Sequence, residues 1–179
     1  MSQEILFQTT GDGFSFFKKD PVFIKELSRY LQDKKVLEIF SGNGLLSRIL
    51  SDNGVDIKAT SLFKGYDYSS LFKFFDVEEL SCFDAVNKYG DDADVLLMSW
   101  PEANNDALMA AMMFFKKDVF KNKRMVYIGE RTDLGKGIFG GCASDLFFEL
   151  FSKPECVFNY TGNYIEVAEV FSKPDYLPI

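Results

Sequence analysis

Apolar and polar positions follow two rhythms along this chain. Phe23, Leu27, Tyr30 and Leu31 fall on one helical stripe, with Asp20 placed to cap it and Pro21 suited to its first turn. "KKVLEIF" then reads as a buried strand that stops at a glycine turn. Leu45, Leu46, Ile49 and Leu50 give the next helix an apolar face, which Gly54 ends. "DIKATSLF" predicts a second strand, the stretch from Lys64 to Phe75 fits neither rhythm, and a short strand near Val77–Leu80 precedes a helix from Asp84 to Tyr89. "DADVLLMSW" predicts a buried strand, followed by a helix over 103–117 with Leu108, Met112 and Phe115 on one side. "RMVYIGE" is another strand, succeeded by the glycine-rich "LGKGIFGGCAS" and a short helix "DLFFELF". "ECVFNYTGNYIEVAEVF" reads as two strands joined at "TGN".

Strands thus alternate with helices until a final antiparallel hairpin, which predicts an α/β fold: a mainly parallel sheet with helices on both faces. The chain of 179 residues is expected to form one domain, with an N-terminal helical segment over 1–33 and the sheet-bearing core over 34–179. In such sheets a ligand binds beyond the carboxyl ends of the strands, so the residues that follow each strand are the candidates.

The first of these turns is "FSGNG". Gly42 and Gly44 remove side chains that would block a ligand from backbone N–H groups and a helix N-terminus. The turn is not the dinucleotide GxGxxG, because Ser47 stands three residues after Gly44, and no phosphate-binding GxxxxGK[ST] occurs.

Composition narrows the chemistry. The chain has no histidine, which excludes Ser-His-Asp and Cys-His hydrolases and the usual general base near neutral pH. Cys82, Cys142 and Cys156 are widely spaced, so neither a zinc site nor a disulfide framework is expected, and no metal ligands are assigned. A net charge of −7 argues against nucleic acid as a partner. The N-terminus lacks the features of a signal peptide, and the apolar run Leu108–Phe115 is too short to span a bilayer. A cytoplasmic protein that binds no membrane is the expectation; the oligomeric state stays open.

"VLEIFSGNGLLS" resembles the first motif of the class I, Rossmann-like methyltransferases that use S-adenosylmethionine. "LLMSWPE" and "VYIGE…GGCASDLFFEL" are similar to a little-studied group within that class, in which the fourth strand ends in Ser-Trp-Pro and the fifth leads to Gly-Gly-Cys. The resemblance implies a seven-stranded Rossmann-like sheet and S-adenosylmethionine as cofactor. It assigns cofactor contacts to Glu38, Phe40, Ser41, Gly42, Asn43 and Gly44, with Phe40 at a usual glycine position. Ser61 takes the place of the ribose-binding acid, and Asp84 and Ala85 fall at the adenine-edge position, where Asp84 can equally cap its helix. Asp67 is a candidate to replace the missing ribose carboxylate. Ser99, Trp100, Pro101 and Glu102 stand where amino-methylating enzymes hold the target amine: Ser99 as acceptor, Trp100 as wall, and Glu102 to orient or deprotonate. Pro101 can alternatively open the following helix as its first residue.

Glu130, at the end of its strand, is a candidate substrate contact, and Gly135–Gly141 reads equally as a lid or a connection. Phenylalanine pairs at 16–17, 74–75, 114–115 and 147–148 suit core packing, with a dimer surface or a substrate-pocket wall as the alternatives.

Methyl transfer suits a chain without histidine, because alignment alone lowers the barrier by roughly 7–11 kcal/mol. The expected substrate is a small molecule or a protein side chain. The alternative is a methyltransferase-like module that binds a partner or ligand without catalysis.

Overall fold

The structure, a computed structural model, describes residues 20–63, 73–120 and 122–175. It opens with α1 (Pro21–Leu31), whose N-terminus is capped as the sequence predicts: the Asp20 carboxylate accepts from the N–H groups of Val22 at 2.8 Å and Phe23 at 3.3 Å. The Thr161 hydroxyl also donates to Asp20, so this cap ties α1 to the segment over 158–165. Asp20→Ala is expected to lower stability by about 1 kcal/mol, read by urea unfolding.

The remaining elements are β1 (Lys35–Ile39), α2 (Leu45–Asp52), β2 (Asp56–Ser61), β3 (Val77–Glu79), α3 (Cys82–Tyr89), β4 (Val95–Ser99), α4 (Asp106–Lys116), β5 (Arg124–Glu130), α5 (Asp145–Leu150), β6 (Cys156–Val157) and β7 (Glu166–Phe171). They build a seven-stranded sheet in the order β3-β2-β1-β4-β5-β7-β6. The pairings from β3 to β5 are parallel, and β7 runs antiparallel to both β5 and β6. The α/β expectation, with its mainly parallel sheet and antiparallel end, holds.

Alternation along the strands sorts the core onto two faces. Leu37, Ile39, Leu96, Met98 and Tyr127 join Phe114, Phe115, Phe147 and Phe148 under α3, α4 and α5. Val36, Val95, Leu97 and Ile128 meet Phe23, Leu27, Leu46 and Leu50 under α1 and α2. The pairs at 114–115 and 147–148 are therefore core, while Phe74 and Phe75 are half-buried. Residues 16–17 and Asp67 lie outside the described residues. The C-terminal strands are shorter than "ECVFNY" and "NYIEVAEVF" suggest, and the link containing "TGN" packs Phe158 and Tyr160 on Phe23 at ring-centroid distances of 5.9 and 4.8 Å. Among the described residues no helix is long and apolar enough to cross a membrane.

Two readings of helix starts need correction. Pro101 does not open a helix: it is buried in a loop, and α4 begins at Asp106. Asn104 sets that start, with its N–H donating to the Glu102 carbonyl at 2.7 Å and its Oδ1 accepting from the Asp106 N–H at 2.8 Å. Nor does Asp84 cap α3. Ser81 does, its hydroxyl accepting from the Asp84 N–H at 3.1 Å and donating to the Asp84 carboxylate at 2.6 Å. The Ser-x-x-Asp spacing satisfies the Asp84 N–H of the first turn and places the acid at its third residue.

Candidate functional site

Strand order reverses between β2-β1 and β4-β5, so a crevice position lies beyond the carboxyl ends of β1 and β4. Both strands leave the sheet there through a non-glycine residue in the left-handed region, Phe40 with φ 61° and Trp100 with φ 54°. Each such residue costs roughly 1–2 kcal/mol. The Phe40 ring is half-buried against the α3–α4 core, which offsets much of that cost at about 1.5–3 kcal/mol for full burial. Phe40 thus keeps the backbone shape that a glycine would adopt freely at this position. The Trp100 N–H donates to the Ile128 carbonyl at 2.8 Å, holding its turn against β5.

Below Phe40, Glu38 is 1% exposed and lies on the α2 face of the sheet. One carboxylate oxygen accepts from the Ser47 hydroxyl in the first turn of α2; the other, Oε1, is buried without a hydrogen-bond partner. Burial pushes the Glu38 pKa up to about 7, more than the Ser47 and Ser41 hydroxyls pull it down. A helix N-terminus beside it favours negative charge, but desolvation wins.

The glycine turn is stitched to β2. The Ser41 N–H donates to the Thr60 carbonyl at 3.1 Å, and the Thr60 N–H to the Ser41 hydroxyl at 3.2 Å. The Gly42 N–H donates to the Ser61 hydroxyl at 3.3 Å. Gly42 has φ 53° and open space where a Cβ would stand. Gly44, at φ 76°, has none: a Cβ would lie 2.6 Å from Val77 Cγ2 and 2.8 Å from Phe75 Cβ. The two glycines therefore do different work, Gly42 leaving room above the turn and Gly44 letting the chain before β3 pack onto it. Asn43 is buried, its Oδ1 accepting from the Leu45 N–H at 3.2 Å and its carbonyl from the Phe74 N–H at 2.8 Å.

At the end of β2, Ser61 is 9% exposed, uncharged and already engaged by Gly42. Asp84 is exposed at the start of α3 and Ala85 is fully buried beside it. Ser99, the last residue of β4, and Pro101 beyond it are buried, and Glu102 is exposed, its carboxylate accepting from the Asn104 amide at 3.2 Å. The Asn104 carbonyl in turn accepts from the Ser144 N–H at 3.0 Å, joining this loop to the start of α5. Glu130 closes β5 half-buried, with Cys142 Sγ 3.9 Å from its carboxylate and its carbonyl accepting from the Tyr127 hydroxyl at 2.6 Å. Burial raises the Cys142 pKa, so this group stays a thiol. The stretch 135–141 begins within a one-turn 3₁₀ segment, Leu134–Lys136, closed by a bridge between Asp133 and Ile138.

The strand ends thus bring Glu38, Ser41, Gly42, Gly44 and Ser61 into one hydrogen-bonded cluster, with Ser99–Glu102 and Glu130 following the next two strands along the same edge. Sequence reasoning did not single out Thr60, Asn104 or Phe75 as parts of this edge. Thr60 alone left a signal, a hydroxyl within an apolar strand pattern. Among the described residues no group of three metal-ligating side chains is gathered.

No family model matches the chain, and no curated protein matches its sequence. Solved structures do match its shape. It is similar to an O-methyltransferase from Bacillus cereus in complex with SAH, with a TM-score of 0.56 and 14% identity over 94% of this chain and 88% of that one. It is also similar to the mitomycin 7-O-methyltransferase MmcR, with a TM-score of 0.53 and 12% identity over 84% of this chain and 53% of that one. The S-adenosylmethionine-dependent methyltransferase SibL, in its apo form, gives a TM-score of 0.52 and 12% identity over 86% and 54%. The chain spans about half the length of MmcR and SibL. At these identities the likeness is one of architecture: the chain shares a Rossmann-like α/β fold with these three proteins.

Proposed function

We propose that the protein binds S-adenosylmethionine at the turn after β1 and transfers its methyl group to a small molecule or a protein side chain. One observation carries this reading: a buried carboxylate with an unpartnered oxygen, Glu38, beneath a turn whose Gly42 leaves its upper side open. An orphaned buried acceptor and an open backbone approach suit the amino-acid end of the cofactor. The ribose end fits less well, because Ser61 offers a hydroxyl in place of a carboxylate, a loss of about 1–3 kcal/mol.

In this reading Glu38 and residues 40–44 hold the cofactor, Ser61 lies by its ribose, and Asp84 and Ala85 border its base. The cofactor, when bound, supplies a methyl group already activated on a sulfonium. The protein's part is alignment. Trp100, held in its left-handed turn, walls the acceptor side, Ser99 accepts one hydrogen bond from the acceptor, and Glu102 or Glu130 takes a proton where the acceptor must lose one. Glu102 stands free enough to do so, being exposed and held by Asn104.

Calorimetric titration with S-adenosylmethionine and S-adenosylhomocysteine tests the reading, using the native chain and Gly42→Ala. Affinity on the order of micromolar is expected for the native chain. Gly42→Ala meets no neighbour, so it is expected to fold with a stability loss of about 1–2 kcal/mol while binding falls at least ~10-fold. A folded native chain that binds neither ligand would overturn the reading and return the alternative, a module that binds a partner without catalysis.

A further inference from the structure

A concave region lies on the β5–β7 side of the sheet, two strands along from the glycine turn. Arg131, the first residue after β5, pairs its guanidinium with Glu169 of β7, and their side chains are 16% and 8% exposed. A second N–H group of Arg131 reaches the Phe151 carbonyl at 3.4 Å, and the Phe148 ring centroid lies 5.8 Å from the guanidinium carbon. Val167 and Phe171 flank Glu169 on the same face of β7, both packed in the apolar core under α5. Burial raises the Glu169 pKa even with Arg131 beside it.

A cavity of about 290 Å³ opens at this pair, lined among others by Arg131, Asp133, Lys136, Ser152, Tyr164 and Glu169. A neighbouring cavity of about 240 Å³ shares Arg131, Asp133 and Ser152, so Arg131 borders both. An ion pair set among apolar side chains does little for stability, because hydrophobic residues of the same size usually fold as well or better. Beside a cavity near the small end of the ligand-site range, such a pair points to recognition.

The signs of the lining charges define what fits. Arg131 and Lys136 offer N–H donors; Glu169 and Asp133 offer carboxylates, and Lys136 meets Asp133 at 3.0 Å. A simple anion entering here meets two carboxylates, and a simple cation meets a guanidinium and an ammonium. A small molecule carrying both charges close together finds a complement for each. We propose that this cleft binds a free α-amino acid as its zwitterion, with the carboxylate on Arg131, Lys136 and Ser152 and the ammonium on Glu169 and Asp133. Arg131 directly follows Glu130, but the lining includes none of the residues assigned to methyl transfer, so binding of an amino acid here is read without the cofactor.

The test titrates the full native chain with L-leucine, L-glutamate and L-lysine, with acetate, methylamine and N-acetyl-L-leucine amide as single-charge and neutral controls. At least one amino acid is expected to bind with Kd on the order of 1 mM or tighter, and the controls at least ~10-fold more weakly. The paired variant Arg131→Met with Glu169→Met is expected to keep its Tm and lose amino-acid binding. Lys136→Glu, on a side chain 75% exposed, leaves the core untouched and is expected to weaken binding at least ~5-fold. Absence of binding by every amino acid, equal binding of the controls, or binding unchanged in both variants would overturn the proposal.

Discussion

Glu38→Gln is expected to raise stability at about pH 8 by about 3 kcal/mol and to leave it nearly unchanged at about pH 4. The cause is the burial that lifts the Glu38 carboxyl from an ordinary 4.5 to about 7 in the folded chain. Over that window the folded state holds a proton that the unfolded state has released, so native stability falls as pH rises from about 4.5 to about 7 and stays reduced above it. Glutamine fills the same space, keeps a partner for the Ser47 hydroxyl and carries no charge to desolvate. Urea unfolding of both proteins across this range reads the effect as a difference between two curves, in which every other titrating group cancels. Parallel curves would show that Glu38 stays ionised and solvated, against its burial. If the proposed function holds, the same substitution is expected to weaken S-adenosylmethionine binding in the calorimetric titration while it raises stability.

Gly44→Ala is expected to cost about 2–4 kcal/mol, several times the ordinary cost of a surface change. Two penalties combine. The left-handed φ of 76° disfavours any side chain, and the added Cβ would stand 2.6 Å from Val77 Cγ2 and 2.8 Å from Phe75 Cβ. Relief requires β3 to move away from the turn, so the loss is expected as a lower midpoint in urea together with faster amide exchange in Val77–Glu79. Gly42→Ala is the control, two residues away and also left-handed but with open space around it. Equal losses for the two variants would mean that the packing of Phe75 and Val77 against the turn adds nothing.

Much of this architecture is legible in the sequence. Buried parallel strands read as nearly continuous apolar runs, and "VLEI", "VLLMS" and "RMVYIGE" appear where β1, β4 and β5 form. Asp20 and Pro21 mark a helix start through local hydrogen bonding and a preset φ, and the structure places α1 there. The helix expected over 103–117 forms as α4, but not from Pro101, which suits a first helical turn only in isolation. The left-handed Trp100 and the hydrogen bonds of Asn104 delay the helix to Asp106.

The candidate site divides along the same line. Spacing alone brought the glycine turn, Ser61, Ser99–Glu102 and Glu130 to the carboxyl ends of successive strands, since that follows from strand order. Only packing decided that Glu38 sits dry beneath Ser47, that Gly44 touches Phe75 and Val77, and that Arg131 meets Glu169 across 38 residues of chain. Dihedral preference and hydrophobic period act over a few residues, so they are written in the sequence itself. Desolvation, close approach and charge pairing depend on which surfaces come to face one another, and for this protein that was settled when helices and strands closed over the sheet.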